Sequence, residues 1–424
     1  MKRVWMCLLL LLACLGPDAG AENRFPKPQF ESGYTMPAVS VPAPRAAALA
    51  ALDVAVLAGA LALAAWLALK RRSRRGLYLL TLFSLLYFGF WRKGCVCSIG
   101  SIQNVAVWLS DPGVVLPLSV VAFFILPLVF ALFFGRVFCA AVCPLGAIQE
   151  MTLLFPMRVP ARVAQVLKVI PVVYLGLAVL LAATGSAYII CRYDPFIAIF
   201  RLSGEAPILI AGVGLLLVGL VVARPYCRFL CPYGVLLSGL SRLSKWHVTI
   251  TPDECVRCRL CETACPFDAI RVPMVGTAEP REQGLRRLKG LLVLCVLLVV
   301  AGGWAGSRLD TRLARMNPAV RLEEALRTQD PALSMEIEAF QSSGATREDL
   351  ERQAALARAR FHRGGWWLGG LLGGFLGLGL ITLSLRRARV DYEIDRGECL
   401  SCARCFESCP KEHERLGKGR EAHG

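Results

Sequence analysis

Seven apolar segments dominate this 424-residue chain, and charged residues concentrate in the loops between them. The segments cover residues 46–69, 77–91, 114–134, 169–190, 206–223, 285–304 and 366–385. About 20 apolar residues are needed to cross the roughly 30 Å of hydrocarbon in a bilayer, so most segments are long enough to span a membrane and the second must recruit its flanks. A mean hydropathy of +0.54 excludes a disordered chain and an ordinary cytosolic enzyme. The pattern predicts a polytopic α-helical membrane protein with about seven transmembrane helices.

The basic residues predict the orientation of these helices. Lysine and arginine exceed aspartate and glutamate by 17, and they cluster near the span ends in loops 70–75, 136–168 and 224–284 and after residue 386. Alternating spans place all four segments on one side, which the positive-inside rule makes cytoplasmic. We therefore expect a multi-pass protein of the bacterial inner (cytoplasmic) membrane, surrounded by lipid. Orientation accounts for the positive charge, so no nucleic-acid partner is predicted.

The N-terminus has the features of a secretory signal peptide. Residues 1–21 contain a basic start, an apolar run and a small-residue cleavage site ending at Ala21. Leu11-Leu12-Ala13-Cys14 also resembles a lipobox, which would instead make Cys14 a lipidated N-terminus. Under either interpretation, residues 22–45 form a periplasmic segment.

The most specific pattern is a cysteine run that occurs twice. Cys255-x2-Cys258-x2-Cys261-x3-Cys265-Pro266 is repeated as Cys399-x2-Cys402-x2-Cys405-x3-Cys409-Pro410. This spacing is typical of bacterial ferredoxins, in which three cysteines bind one cluster and the fourth binds the other. Paired zinc knuckles would need two short hooks or added histidines, and neither run has that form. The sequence predicts two [4Fe–4S] clusters, one on Cys255, Cys258, Cys261 and Cys409 and the other on Cys399, Cys402, Cys405 and Cys265.

Two spans separate these runs, so both are expected in the cytoplasm as halves of one split ferredoxin-like module. The predicted organisation is a five-helix transmembrane domain (46–245), a first ferredoxin half (246–284), a helix (285–304), a periplasmic helical segment (305–365), a helix (366–385) and a second ferredoxin half (386–424). In the last span, Gly369, Gly373 and Gly377 lie on one helical face and predict close helix packing.

A second repeated pattern, C-x3-C-P, lies at the cytoplasmic ends of spans. It contains Cys139 and Cys143, then Cys227 and Cys231. If each segment is helical, its two thiols share a face, and together the loops offer four thiolates to a further metal or iron–sulfur centre. The alternative is a pair of capping turns with buried, inert cysteines.

A third group is predicted near the outer leaflet, on the opposite face. It comprises Cys95, Cys97 and Cys191, and two interpretations fit: an outward-facing redox or metal site, or a disulfide with one additional thiol. Of the remaining cysteines, Cys295 is expected to serve packing. The chain has no C-x-x-C-H for attached haem and no dinucleotide fingerprint.

The combination of paired ferredoxin runs, two C-x3-C-P loops and intervening spans resembles the NosR/NirI/NapH group of membrane polyferredoxins, over roughly residues 46–410. The resemblance implies electron transfer linking the quinone pool or a cytoplasmic donor to a periplasmic respiratory partner. Members of the NosR type carry a large periplasmic flavin domain, where this sequence has only residues 22–45. We therefore expect flavin on a partner, a periplasmic flavoprotein or cytochrome. Ala140 replaces a glycine often found after the first cysteine of C-x3-C-P.

The leading functional prediction is a membrane-bound iron–sulfur electron-transfer protein. Whether it is an enzyme stays open, with a quinol-oxidising subunit of an oxidoreductase system as the form that catalysis would take. The alternatives are a redox-sensing regulator and a biogenesis factor for a periplasmic metalloenzyme. The catalytic residues, the electron donor and the acceptor are not determined by the sequence.

Overall fold

The computed structural model describes residues 46–94, 97–111, 113–203, 205–250, 255–273, 281–384 and 391–415. The predicted signal peptide, the Cys14 lipobox and Cys95 lie outside these residues. The described chain is helical apart from one two-stranded sheet.

The first part of the chain forms a bundle of apolar and short connecting helices. Its elements are α1 (Ala47–Leu69), α2 (Arg74–Ser84, continued by a π-helix at Leu85–Trp91), α3 (Ser101–Ser110), α4 (Leu118–Phe134), a π-helix (Phe138–Val142), α5 (Pro144–Thr152), α6 (Ala161–Leu167), α7 (Val169–Ala183), α8 (Ile189–Tyr193), α9 (Pro195–Arg201), α10 (Ala206–Gly219), α11 (Pro225–Phe229) and α12 (Pro232–Ser241).

The second part contains two long helices and the ferredoxin-like segments on either side of them. Its elements are α13 (Leu260–Ala264), β1 (Ile270–Arg271), α14 (Arg281–Arg308), α15 (Asp310–Ala314), α16 (Pro318–Thr328), a 3-10 turn (Pro331–Leu333), α17 (Ser334–Ser342), α18 (Arg347–Ser384), β2 (Glu393–Ile394), α19 (Arg404–Glu407) and α20 (Pro410–Arg415).

Within the described residues, four helical stretches are long and apolar enough to cross a membrane, or five if the bent pair α9–α10 counts as one span. The four are Ala47–Leu69, Ala161–Ala183, Gln283–Arg308 and Arg347–Thr382. The predicted spans 77–91 and 114–134 correspond to α2 with its π-helical end and to the 17-residue α4. The chain is thus a helical protein with several candidate spans, and the total of seven stays a prediction.

Helices α14 and α18 pack so closely that their backbones are in contact at several glycines. A Cβ atom added at Gly369 would overlap the Gly302 carbonyl oxygen, and one at Gly365 would lie 2.6 Å from the Gly306 carbonyl oxygen. Small residues allow this approach in lipid, where van der Waals contact drives helix association. The predicted packing role of the glycine face is confirmed, since Gly373 likewise faces the Leu298 backbone.

Replacing Gly369 by alanine should therefore destabilise the α14–α18 pair by about 1–3 kcal/mol, because the new methyl group overpacks the contact. Gly379 on the same helix is the matched control, since a Cβ there meets nothing within 4 Å. Thermal unfolding in detergent measures both variants. Equal midpoints for Gly369→Ala and Gly379→Ala would contradict the packing assignment.

The core of the bundle continues into the second ferredoxin half. One cluster of buried side chains runs from α1 and α2 through the C-x3-C-P segments to Leu400 and Phe406. Arg72 at the end of α1 pairs with Glu412 at 2.7 Å and stacks over the Phe406 ring. Residues 391–415 therefore pack directly on the end of the bundle that carries the C-x3-C-P loops.

Candidate metal centres

A short antiparallel sheet joins the two ferredoxin halves, which lie far apart in sequence. Ile270 of β1 pairs with Ile394 of β2, and the ladder continues with the Asp395 amide donating to the Ala269 carbonyl at 2.8 Å. Arg271 and Asp395 form an ion pair at 2.8 Å beside it. The structure thus brings the halves together as one module.

The two cysteine loops follow the same backbone path. Arg257 and Arg259 in the first loop have φ of 53° and 64°, and Ser401 and Ala403 at the matching positions have φ of 53° and 61°. Non-glycine residues adopt this left-handed conformation only when the surrounding structure requires it. Its occurrence at matching positions indicates that both loops are shaped to turn their cysteines inward.

The cysteines line two neighbouring concavities in the crossed grouping. The first concavity is lined by Cys255, Cys258, Cys261 and Cys409, and also by Cys405. Burial raises the pKa of the Cys261 thiol to about 11, and the nearby Cys255, Cys258 and Cys409 add to the rise.

The second concavity is lined by Cys265, Cys399, Cys402 and Cys405. Burial raises the pKa of the Cys399 thiol to about 12, with Cys402 and Cys265 contributing. Each concavity is therefore lined by cysteines of both halves.

These donor sets fit iron–sulfur clusters. Thiolates held close together in a partly buried site repel one another unless a cationic centre compensates their charge. Within the described ranges, no group of three or more Cys, His, Asp or Glu side chains is arranged to hold a single metal ion. A cubane differs from a single ion because each thiolate binds a different iron, which requires sulfurs that lie further apart.

The C-x3-C-P loops have matching local geometry. Cys143 (φ −70°, ψ 118°) and Cys231 (φ −69°, ψ 113°) are the N-cap residues of α5 and α12, and the following proline takes the first helical position in each. Proline fits there because its missing N–H has no helical partner. Cys139 lies in the π-helix before α5. The motif thus presents each second cysteine at the start of a helix.

The structure brings the four C-x3-C-P thiols together in the protein interior. Cys139, Cys143, Cys227 and Cys231 are all buried. Burial raises the pKa of the Cys143 thiol well above its usual value, and Cys227, Cys139 and Cys231 are near enough to raise it further. The four thiols therefore lie near one another in the folded chain.

Polar side chains around these thiols place hydrogen-bond donors near the sulfur atoms. Gln149 Nε2 lies 3.4 Å from Cys227 Sγ, while Gln149 Oε1 accepts from the Tyr226 amide at 3.0 Å. Arg136 Nη2 lies 3.9 Å from Cys139 Sγ, and its other Nη donates to the Gly397 carbonyl at 3.1 Å. Such donors stabilise negative charge on sulfur, and Arg136 also ties the site to the second ferredoxin half.

A buried ion network links the same two regions. Arg224 is fully buried; its Nε donates to Glu150 at 3.0 Å and its Nη atoms donate to the Cys139 and Ala140 carbonyls. Glu150 also accepts from Arg74 and, at 2.7 Å, from Arg404, the residue before Cys405. The sequence predictions missed these residues, although an arginine stands three positions before the first cysteine of each C-x3-C-P loop.

Two cysteines of the third group, Cys97 and Cys191, lie near each other. Cys97 and Cys191 both approach Gly100, where a Cβ would lie 3.8 Å and 3.1 Å from their sulfurs, and no disulfide joins them. Their surroundings correct one expectation. Asp194 accepts a hydrogen bond at 3.2 Å from Tyr226, the residue before Cys227. The segments predicted on opposite faces are therefore in contact, because short helices α8, α9 and α11 meet inside the bundle.

Comparison with known proteins agrees with this architecture. The 4Fe-4S binding domain family Fer4_5 matches residues 116–161 and 206–251, and the 4Fe-4S binding domain family Fer4 matches residues 248–271. No solved structure matches the chain.

Several curated relatives are similar to parts of the chain. An uncharacterized protein of Methanocaldococcus jannaschii is 31% identical over 44% of this chain and 79% of its own length. Protein NirI of Paracoccus denitrificans is 32% identical over 36% of this chain and 24% of its own. The putative electron transport protein YccM of Escherichia coli is 28% identical over 35% of this chain and 45% of its own. The last two are covered over less than half of their lengths.

The fold and the cysteine sets define a membrane protein of the 4Fe-4S electron-transfer class. Within that class, the chain belongs to the NosR/NirI-type family of membrane electron-transfer proteins.

Proposed function

We propose that this protein conducts electrons between the cytoplasm and the membrane through two [4Fe–4S] clusters in the ferredoxin module and a third centre on the C-x3-C-P thiols. The first two would be held by the crossed cysteine sets and the third by Cys139, Cys143, Cys227 and Cys231. When bound, the clusters supply one-electron redox chemistry; the chain's own residues hold them, shield them and place them near one another.

The contact between the second ferredoxin half and the C-x3-C-P loops carries this proposal. Cys405 borders both ferredoxin concavities, so the two crossed sets are neighbours. Arg224 is close enough to Cys227 and Cys402 to interact electrostatically with both thiols. The three thiol sets therefore form a continuous series that leads from the module into the bundle.

The buried arginines also give the series an electrostatic role. Arg136 is within range of Cys139, Cys227 and Cys399, and Arg224 bonds the Cys139 carbonyl. A positive charge in a low-dielectric interior favours the more reduced, more negative state of a neighbouring redox group. We expect these residues to raise the potentials of the second ferredoxin set and the C-x3-C-P centre.

The partners at each end belong to the same proposal. Arginine- and lysine-rich loops support a cytoplasmic ferredoxin module, and the family resemblance supports exchange with the quinone pool and a periplasmic flavoprotein or cytochrome. The bundle end of the series lies among apolar helices, where an electron carrier dissolved in lipid could approach.

Anaerobic purification with iron and sulfide assay and EPR of the reduced protein tests the proposal. Cys227→Ser should remove the iron of the third centre and leave the ferredoxin signals intact. In liposomes, the rate of electron transfer from the reduced ferredoxin module to a quinone analogue should fall at least tenfold, because electrons can no longer pass from the module into the bundle.

Cys295→Ser is the matched control, since Cys295 lies mid-helix in α14 against Gly377, away from the thiol sets. Its iron content and transfer rate should equal those of the wild type. Absence of cubane signals from the anaerobically prepared wild type would refute the function, whereas unchanged iron in Cys227→Ser would refute only the third centre.

A further inference from the structure

The bundle contains a second copy of the C-x3-C-P arrangement, built by α3, α8 and α9. Cys97-Ser98-Ile99-Gly100-Ser101-Ile102-Gln103 runs parallel in sequence to Cys143-Pro144-Leu145-Gly146-Ala147-Ile148-Gln149. In each copy the cysteine precedes a helix, and the glycine and glutamine follow at the same spacing. The correspondence can be tested against contacts elsewhere in the chain.

The two glutamines make the same long-range hydrogen bond. Gln103 Oε1 accepts from the Ile190 amide at 3.0 Å, and Gln149 Oε1 accepts from the Tyr226 amide at 3.0 Å. Each amide immediately precedes a cysteine, so Cys191 corresponds to Cys227.

The two glycines confirm this correspondence. A Cβ at Gly146 would lie 3.7 Å from Cys227 Sγ, and a Cβ at Gly100 would lie 3.1 Å from Cys191 Sγ. In both copies a glycine leaves room for the sulfur of the partner loop.

The remaining position differs in chemistry. Asp194 is the N-cap of α9 with φ −75° and ψ 112° and is followed by Pro195, whereas Cys231 is the N-cap of α12 with φ −69° and ψ 113° and is followed by Pro232. Asp194 is buried, with only 2% of its surface exposed. The second copy therefore places a carboxylate where the first places a thiol.

The second copy contains an unsatisfied buried donor. Gln103 is fully buried, and its Nε2 has no hydrogen-bond partner among the residues that the structure describes. The equivalent Gln149 Nε2 reaches the Leu145 carbonyl at 2.6 Å and Cys227 Sγ at 3.4 Å. A buried amide left without an acceptor is costly, and a sulfide or metal-bound thiolate would satisfy it.

We infer that Cys97, Cys191 and Asp194 form a second ligand pocket that binds an iron–sulfur cluster with one carboxylate ligand. The inference deepens the proposed function by extending the series of centres beyond the C-x3-C-P thiols. The Asp194–Tyr226 hydrogen bond places the new pocket directly beside the Cys227 loop.

Iron and sulfide counts on the full-length, anaerobically purified protein test the pocket. Cys97→Ser and Cys191→Ser should each lower the content by one cluster, and the ferredoxin EPR signals should remain. Asp194→Cys should keep the full iron content and change the EPR spectrum of that cluster, since a thiolate replaces the carboxylate. Asp194→Asn, which keeps an oxygen to cap α9, should lose iron while the protein stays folded by circular dichroism.

Three outcomes would overturn the inference. One is wild-type iron in Cys97→Ser and Cys191→Ser; another is an unaltered spectrum in Asp194→Cys. The third is a Cys97–Cys191 disulfide in the oxidised protein, detected by mass spectrometry, with no associated iron. Each of these leaves the ferredoxin signals in place, so it is distinguishable from failure of the proposed function.

Discussion

Replacing Cys265 by serine should remove the cluster proposed for the second ferredoxin half, although Cys265 lies in the first half. Its thiol lines the same concavity as Cys399, Cys402 and Cys405, and burial with Cys402 nearby raises its pKa. Loss of one of four thiolates leaves an iron without its protein ligand. The iron assigned to the ferredoxin module should fall by about half, as measured by iron and sulfide assay with EPR.

The reciprocal variant makes this result decisive. Cys409→Ser should remove the other cluster, because Cys409 lines the concavity of Cys255, Cys258 and Cys261. Cys258→Ser should therefore lose the same EPR signal as Cys409→Ser, and Cys402→Ser the same signal as Cys265→Ser. If Cys265→Ser instead matched Cys258→Ser, each half would hold its own cluster and the crossed assignment would be wrong.

The spacing of the cysteines predicted the crossed grouping, but it did not predict the short sheet that joins the two halves. Cysteine positions determine which thiols a tight loop can present, so the ligand sets follow from local sequence. The pairing of Ile270 with Ile394, by contrast, depends on where α14 and α18 return the chain. The glycine face of α18 predicted close packing against another helix, but not that α14 would be the partner.

The buried charges illustrate what hydropathy cannot predict. Glu150 and Arg224 appear in loops between apolar spans, and a loop residue is ordinarily exposed to water. Here both are buried. Arg224 lies against the Cys139 and Ala140 carbonyls, and Glu150 lies between arginines of the bundle and Arg404 of the second ferredoxin half. The contact between Asp194 and Tyr226 was not predicted for a related reason: span boundaries do not reveal that short helices such as α9 fold inward.

Glu150→Gln should destabilise the protein by about 3–5 kcal/mol, the usual cost of removing one partner from a buried ion network. Arg224 has no exposed surface and would keep its charge without the carboxylate that compensates it. Arg74 and Arg404 would lose the same partner. Thermal or denaturant unfolding in detergent measures the loss. Glu336→Gln, which breaks the exposed pair with Arg321, is the control and should change stability by less than about 1 kcal/mol.

The pH dependence distinguishes this electrostatic role from simple packing. Although burial opposes ionisation, Arg224, Arg74 and Arg404 lower the pKa of Glu150 from 4.5 to about 2. A carboxyl whose folded pKa is depressed stabilises the protein above its unfolded pKa and loses that contribution as the pH falls toward the folded value. The stability gap between wild type and Glu150→Gln should thus be constant above pH 5 and narrow below pH 4.5. Acid loss of bound iron affects both proteins alike, so the gap isolates Glu150. A gap that stayed constant through pH 3 would show that the carboxylate's charge contributes nothing to holding the ferredoxin half on the bundle.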